Sequence, residues 1–251
     1  MKLVLFRRKI LTLVVCLLCA AAMFYVVNHP AVTGTGGTTR QLPIYCVQRD
    51  QKVISLSFDA AWGNEDTQQL IDILARYNIK VTFFVVGEWV DKYPESVKAL
   101  SDAGHEIMNH SSHHDHFNTL SAQEIVADIT ACNEKIAAIT GCTPTLFRPP
   151  YGEYDDHVVS AVRGMGMEPV QWDVDSLDWK DLSADEITRR VTSKVQNGSI
   201  VLFHNAALHT PEALPGIIDA LIQEGYSFLP ISQLILTGDY TIDHTGRQCP
   251  A

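Results

Sequence analysis

The chain has no excess of positive charge, no glycine-rich turn behind any strand-like run, and, outside the apolar run near the N-terminus, no pair of cysteines at zinc-ribbon spacing. Its formal charge is −10, and because Lys2, Arg7, Arg8 and Lys9 put +4 into the first 28 residues, the remainder carries −14. A surface that acidic repels a phosphate backbone, so nucleic acid is excluded as a partner. The missing glycine-rich loop removes the usual cradle for nucleotide phosphates and counts against an open, doubly wound sheet. A bacterial lipobox is also wanting, since Val15 and Leu18 precede Cys16 and Cys19 where a small residue belongs.

What is present begins with an uncharged run of 18 residues, Ile10 to Val27, behind the basic cluster. It is just long enough to cross the hydrocarbon core, and the positive charges before it keep the N-terminus cytoplasmic. Residues 1–28 are expected to be an anchor that leaves the rest outside the cytoplasm; Ala20-Ala21-Ala22 keeps open a cleaved signal peptide and a secreted product. Residues 29–41, rich in Gly and Thr, read as a linker, 42–236 as one domain and 237–251 as a loose tail. In an exported domain disulfides are permitted, and the expected pairs are Cys132–Cys142 and Cys46–Cys249.

Within the domain, strand-like and helix-like runs alternate. Val53 to Asp59, Lys80 to Val86, His105 to Met108, Leu146 to Arg148, Pro169 to Val174, Ser199 to Phe203 and Ser227 to Ile231 are largely apolar or β-branched. Between them lie amphipathic segments: Asn64 is expected to cap the first, one helix is expected to carry Trp89 through Leu100, and Ser121/Glu124 and Ser183/Glu186 form capping boxes. The pattern predicts an α/β fold, a distorted (β/α) barrel of about seven parallel strands with helices outside. Asp59, His110, Arg148, Asp175 and His204 each follow an apolar run, so a barrel gathers them on one rim. His110 and His114, four apart, suit one divalent ion if they share a helical turn; spacing does not decide whether His113 or His116 joins them.

Five motifs in order, Ser57-Phe58-Asp59-Ala60-Ala61, His110-Ser111-Ser112-His113-His114, Arg148-Pro149-Pro150-Tyr151-Gly152, Asp175-Ser176-Leu177-Asp178-Trp179 and Leu202-Phe203-His204, resemble those of the polysaccharide deacetylase family with the NodB homology fold, carbohydrate esterase family 4. The resemblance implies metal-assisted removal of N-acetyl groups from a glycan substrate. By it, His110 and His114 hold a divalent ion, zinc, Asp59 is the general base, His204 the general acid, Arg148 the partner of Asp59 and Asp175 the partner of His204. Tyr151 supplies an oxyanion N–H, and Trp179 and Leu202 line the acetyl pocket. An S-F-D-x-x-W-G first motif behind an anchor is similar to the sporulation-associated branch, which implies peptidoglycan as the substrate.

One departure stands out. Where the family's pattern has a third metal ligand, this chain has Ala60, whose methyl binds no cation. Glu65 or Asp66 replaces it, another histidine of the cluster joins, or the ion is held weakly or not at all, in which case the chain is a degenerate member that binds glycan without turnover.

Overall fold

The computed structural model describes residues 13–25 and 40–251. The chain divides into two units, Met1–Arg40 and Gln41–Ala251. In the first, residues 13–25 are helical with exposed side chains. No helix among the described residues is long and apolar enough to cross a membrane. Residues 10–12, 26 and 27 of the apolar run and 29–39 of the expected linker lie outside the described residues.

The second unit is built on strands β1 (Cys46–Val47), β2 (Val53–Ala60), β3 (Thr82–Val85), β4 (Glu106–Asn109), β5 (Leu146–Phe147), β6 (Glu168–Pro169), β7 (Val174–Asp175), β8 (Ile200–His204), β9 (Ser227–Phe228), β10 (Tyr240–Ile242) and β11 (Arg247–Pro250). Seven form a curled sheet in the order β6-β5-β4-β3-β2-β8-β7, and β9 pairs with the start of β2. Its ladders are parallel throughout. The sheet is the expected distorted barrel, with a bridge from Ile44 to Val170 beside β6.

Strand β2 sits at the centre, and all eight of its residues are buried. Such a strand needs apolar residues on its helix-covered side, supplied by Ile54, Leu56, Phe58 and Ala60. Phe58 lies in register with Phe83 and Phe203 and stacks on both, at 4.9 and 5.3 Å between ring centroids. A slip by one residue would drive Asp59 into this apolar layer, so the three phenyl rings fix which way the carboxylate faces.

Both expected capping boxes form, opening helices Ala122–Thr140 and Ala184–Thr192. Other expectations need correction. The helix foreseen from Trp89 to Leu100 is two, Gly87–Lys92 and Pro94–Asp102, because Pro94 lacks the N–H needed to continue the first and starts the second. Asn64 does not cap the helix Thr67–Arg76; Asp66 stands at that position, while Asn64 donates to Ser96 Oγ. The run Pro169 to Val174 is split between β6 and β7.

The expected tail is structured. β10 and β11 form a hairpin whose β11 pairs in parallel with β1, making a separate three-stranded sheet. No disulfide holds it, for Cys46, Cys132, Cys142 and Cys249 are all free. Cys46 is opposite Arg247 rather than Cys249. Cys132 is buried against the sheet, 3.6 Å from the Val85 carbonyl, whereas Cys142 is exposed beyond the left-handed Gly141 that ends its helix.

Candidate active site

The C-terminal ends of β2, β4, β5, β7 and β8 surround one cavity of about 440 Å³, lined by Asp59, His110, His114, Tyr151, Asp175, Trp179, Leu202 and His204 among others. Every expected site residue except Arg148 lines it, and Arg148 lies directly beneath. Its guanidinium is fully buried, donating to Asp59 Oδ1 at 2.7 Å, Ser57 Oγ at 2.9 Å and the Gln171 carbonyl at 3.2 Å. It also stacks over Phe84 at 4.1 Å. Burial alone would push the Asp59 carboxyl up, but Arg148 outweighs it and holds the acid below its usual range. Asp59 is therefore ionised, ready to accept a proton.

The histidines meet by a route the spacing did not suggest. Residues 110–116 are not helical; Ser111 and His114 take left-handed conformations, at φ 72° and 58°. Side chains hold that turn: Asn109 Oδ1 accepts from Ser111 N, Ser111 Oγ from His114 N, and Asp128 Oδ1 from Ser112 N. The rings of His110 and His114 end 5.0 Å apart. His110 Nδ1 donates to the Arg148 carbonyl at 2.7 Å, which leaves Nε2 unprotonated and 3.4 Å from Asp59 Oδ2. Burial pushes both imidazoles down, His114 to about 4, so both are neutral donors.

As a metal site the set is incomplete. Two neutral imidazoles suit a divalent ion, but among the described residues no group of three or more His, Cys, Asp or Glu side chains is arranged to hold one. Ala60 is fully buried in the apolar layer with Phe58 and Val85, on the opposite side of β2 from Asp59. His113 and His116 pair with Glu88 and Glu153 at the surface. Glu65 and Asp66 line a different cavity with Ala206 and Leu208.

His204 corrects the sequence reading. Its partner is Asp178, not Asp175: Nδ1 lies 2.8 Å from Asp178 Oδ1, and Asp178 Oδ2 accepts from His204 N at 2.8 Å and Thr210 Oγ at 2.7 Å. Asp178 is fully buried. Asp175 instead accepts from Leu177 N at 2.8 Å, closing the tight turn that delivers Asp178. Burial pulls the His204 imidazole down, but the bond and charge of Asp178 prevail and raise it. Two acidic residues three apart in one motif gave no means of choosing between them; Leu177 at φ 55° swings the chain round between them. Trp62, Gly152 and Trp172 also line the cavity and were not foreseen. Tyr151 adopts φ 60°, a conformation that non-glycine residues seldom take and that turns its backbone in this wall.

Asp66 has a structural part. It is buried, one oxygen accepts from Ala206 N at 2.9 Å, the other has no partner, and burial pushes its pKa to about 6. The folded state thus binds more protons than the unfolded between about pH 4 and 6, and stability falls as pH rises through that window. Asp66→Asn keeps an acceptor and removes the charge. It should raise the melting temperature by about 5 °C near pH 8 and hardly at all near pH 4; an equal gain at both would show that charge is not the cause.

A family sequence model described as polysaccharide deacetylase matches residues 47–170. Peptidoglycan-N-acetylmuramic acid deacetylase PdaC of Bacillus subtilis is 37% identical over 188 residues, 75% of this chain and 40% of PdaC. Peptidoglycan-N-acetylmuramic acid deacetylase PdaA of the same organism is 32% identical over 195 residues, 76% of this chain and 74% of PdaA. Among solved structures, wild-type BA3943 from Bacillus anthracis, described as a CE4 family pseudoenzyme, superposes with a TM-score of 0.73 at 36% identity, over 76% of this chain and 68% of that one. A mutant of BA3943 is described as having restored enzymatic activity. The chain spans well under half the length of PdaC.

Proposed function

Because the chain belongs to the polysaccharide deacetylase family, we propose that it is a hydrolase that removes N-acetyl groups from a cell-wall glycan, peptidoglycan being the substrate named for PdaC and PdaA. The observation that carries this is the pairing of an ionised acid with a protonatable base across one cavity: Asp59 on buried Arg148, His204 on buried Asp178. Asp59 takes the proton of the attacking water, and His204, kept cationic by Asp178, protonates the departing amine. The Tyr151 N–H serves the oxyanion, a donor typically worth about 3 kcal/mol, and Trp179 and Leu202 accept the acetyl methyl. His110 and His114 would hold a divalent ion, zinc by the family likeness, which supplies Lewis acidity when bound. The chain works outside the cytoplasm, tethered by residues 1–28 or released if they are removed.

The test is acetate release by the full chain in mild detergent from peptidoglycan and from tri-N-acetylchitotriose, with zinc, cobalt, manganese or nickel added. Turnover should demand His204 in its cationic form. Since its pKa is raised, kcat/KM should hold steady past about pH 6.5 and fall only as pH climbs through the higher value.

A second reading also has a specific observation behind it. With Ala60 in place of a ligand, and no third metal-binding side chain beside His110 and His114 among the described residues, the chain binds wall glycan without turnover, as a family pseudoenzyme. Absence of acetate with every metal, alongside measurable trisaccharide binding, would establish this reading over the first.

A further inference from the structure

Within residues 40–251, the exposed aromatic side chains are Trp62, Tyr151 and Trp179, at 49%, 57% and 52%, and all three line the one cavity. Exposed apolar rings gathered at a single cleft mark a binding surface rather than scattered surface wear. Tyr151 already has a face covered by His116, whose ring stacks at 4.4 Å, and Trp179 lies under the Lys180 ammonium at 4.8 Å. Trp62 is placed by two features of its surroundings.

First, it lies nearly parallel to His204, 5.9 Å between centroids at 10°, and so extends the wall of the cavity outward from the acid. Second, its loop is fastened although its ring is exposed. Asn205, buried, accepts from Ala61 N and donates to the Gly63 carbonyl, which also receives Trp89 Nε1–H at 2.9 Å. A large flat apolar surface held open to solvent by buried bonds is preorganised for a ligand. The ligand that suits it has an apolar C–H face and a hydroxyl rim, which is a pyranose ring.

Resting on the glycan reading above, we propose that Trp62 is a sugar-stacking platform for the residue next to the acetylated one. The test is calorimetric titration of the full chain in mild detergent, with chelator present so that no acetyl group is lost, using N-acetylglucosamine and tri-N-acetylchitotriose. Wild type should bind the trisaccharide more tightly than the monosaccharide. Trp62→Ala should weaken the trisaccharide by about tenfold and leave the monosaccharide unchanged, while Trp62→Phe keeps most of the affinity. Unaltered trisaccharide affinity in Trp62→Ala, with an unaltered thermal melt, overturns the platform and spares the glycan reading. If wild type binds neither sugar, the glycan reading fails and the platform with it. Equal loss for both sugars assigns Trp62 to the acetyl site and also overturns the proposal.

Discussion

Asp178→Asn should cut kcat/KM for acetate release by about 10²–10⁴-fold, the range for losing a positioned general acid, whereas Asp175→Asn should cost less than about tenfold. Asp178 accepts three hydrogen bonds, from His204 Nδ1, His204 N and Thr210 Oγ, and offers no donor. An amide in its place has one oxygen and one NH₂, so at least one of those donors meets another donor inside a fully buried site. With the NH₂ facing the ring, Nδ1 must give up its proton and the imidazolium loses its counter-charge. The alkaline limb of the pH profile should then move to lower pH as well as the plateau falling. Asparagine at 175 can still accept from Leu177 N, so the turn survives. A loss from Asp175→Asn as large as that from Asp178→Asn would restore the pairing that the motif alone suggested.

Arg148→Ala should lower unfolding free energy by about 3–5 kcal/mol, read as the urea midpoint, because it leaves the buried Asp59 charge without its partner. Arg148→Lys should recover less than half of this. A single ammonium cannot reach Asp59, Ser57 and the Gln171 carbonyl together, and it loses the flat stacking on Phe84. Adding Asp59→Asn to Arg148→Ala should return part of the stability, since the stranded charge is then gone. A loss below about 1 kcal/mol for Arg148→Ala would mean that water enters and solvates Asp59, and that the guanidinium is dispensable to the fold.

The fold was readable because its strands are buried on both sides and announce themselves as apolar runs, with two capping boxes marking helix starts. The site was readable to the extent that strand ends are where such folds expose polar groups: Asp59, His110, Arg148 and His204 all stand there. What escaped was set by backbone turns that side-chain type does not encode. His110 and His114 meet through left-handed Ser111 and His114, not through a helix, and Asp178 reaches His204 through left-handed Leu177. The hairpin at 240–250 escaped because its pairing partner, β1, lies some two hundred residues earlier and is only two residues long. Ala60 was read as a gap in a ligand set; the strand's alternation shows the methyl also fills space in the apolar layer on the far side of β2.

That β1–β11 ladder has a bearing on biosynthesis. Cys46 and Val47 pair in register with Arg247 and Gln248, so this ladder waits for nearly the last residues to be made. Closing so long a loop carries a large entropic penalty and comes late in folding. A chain emerging from the ribosome N-terminal end first cannot complete this sheet until residues 247–250 are free, while the bonds of β1 to Gly198 and Ser199 can form before them.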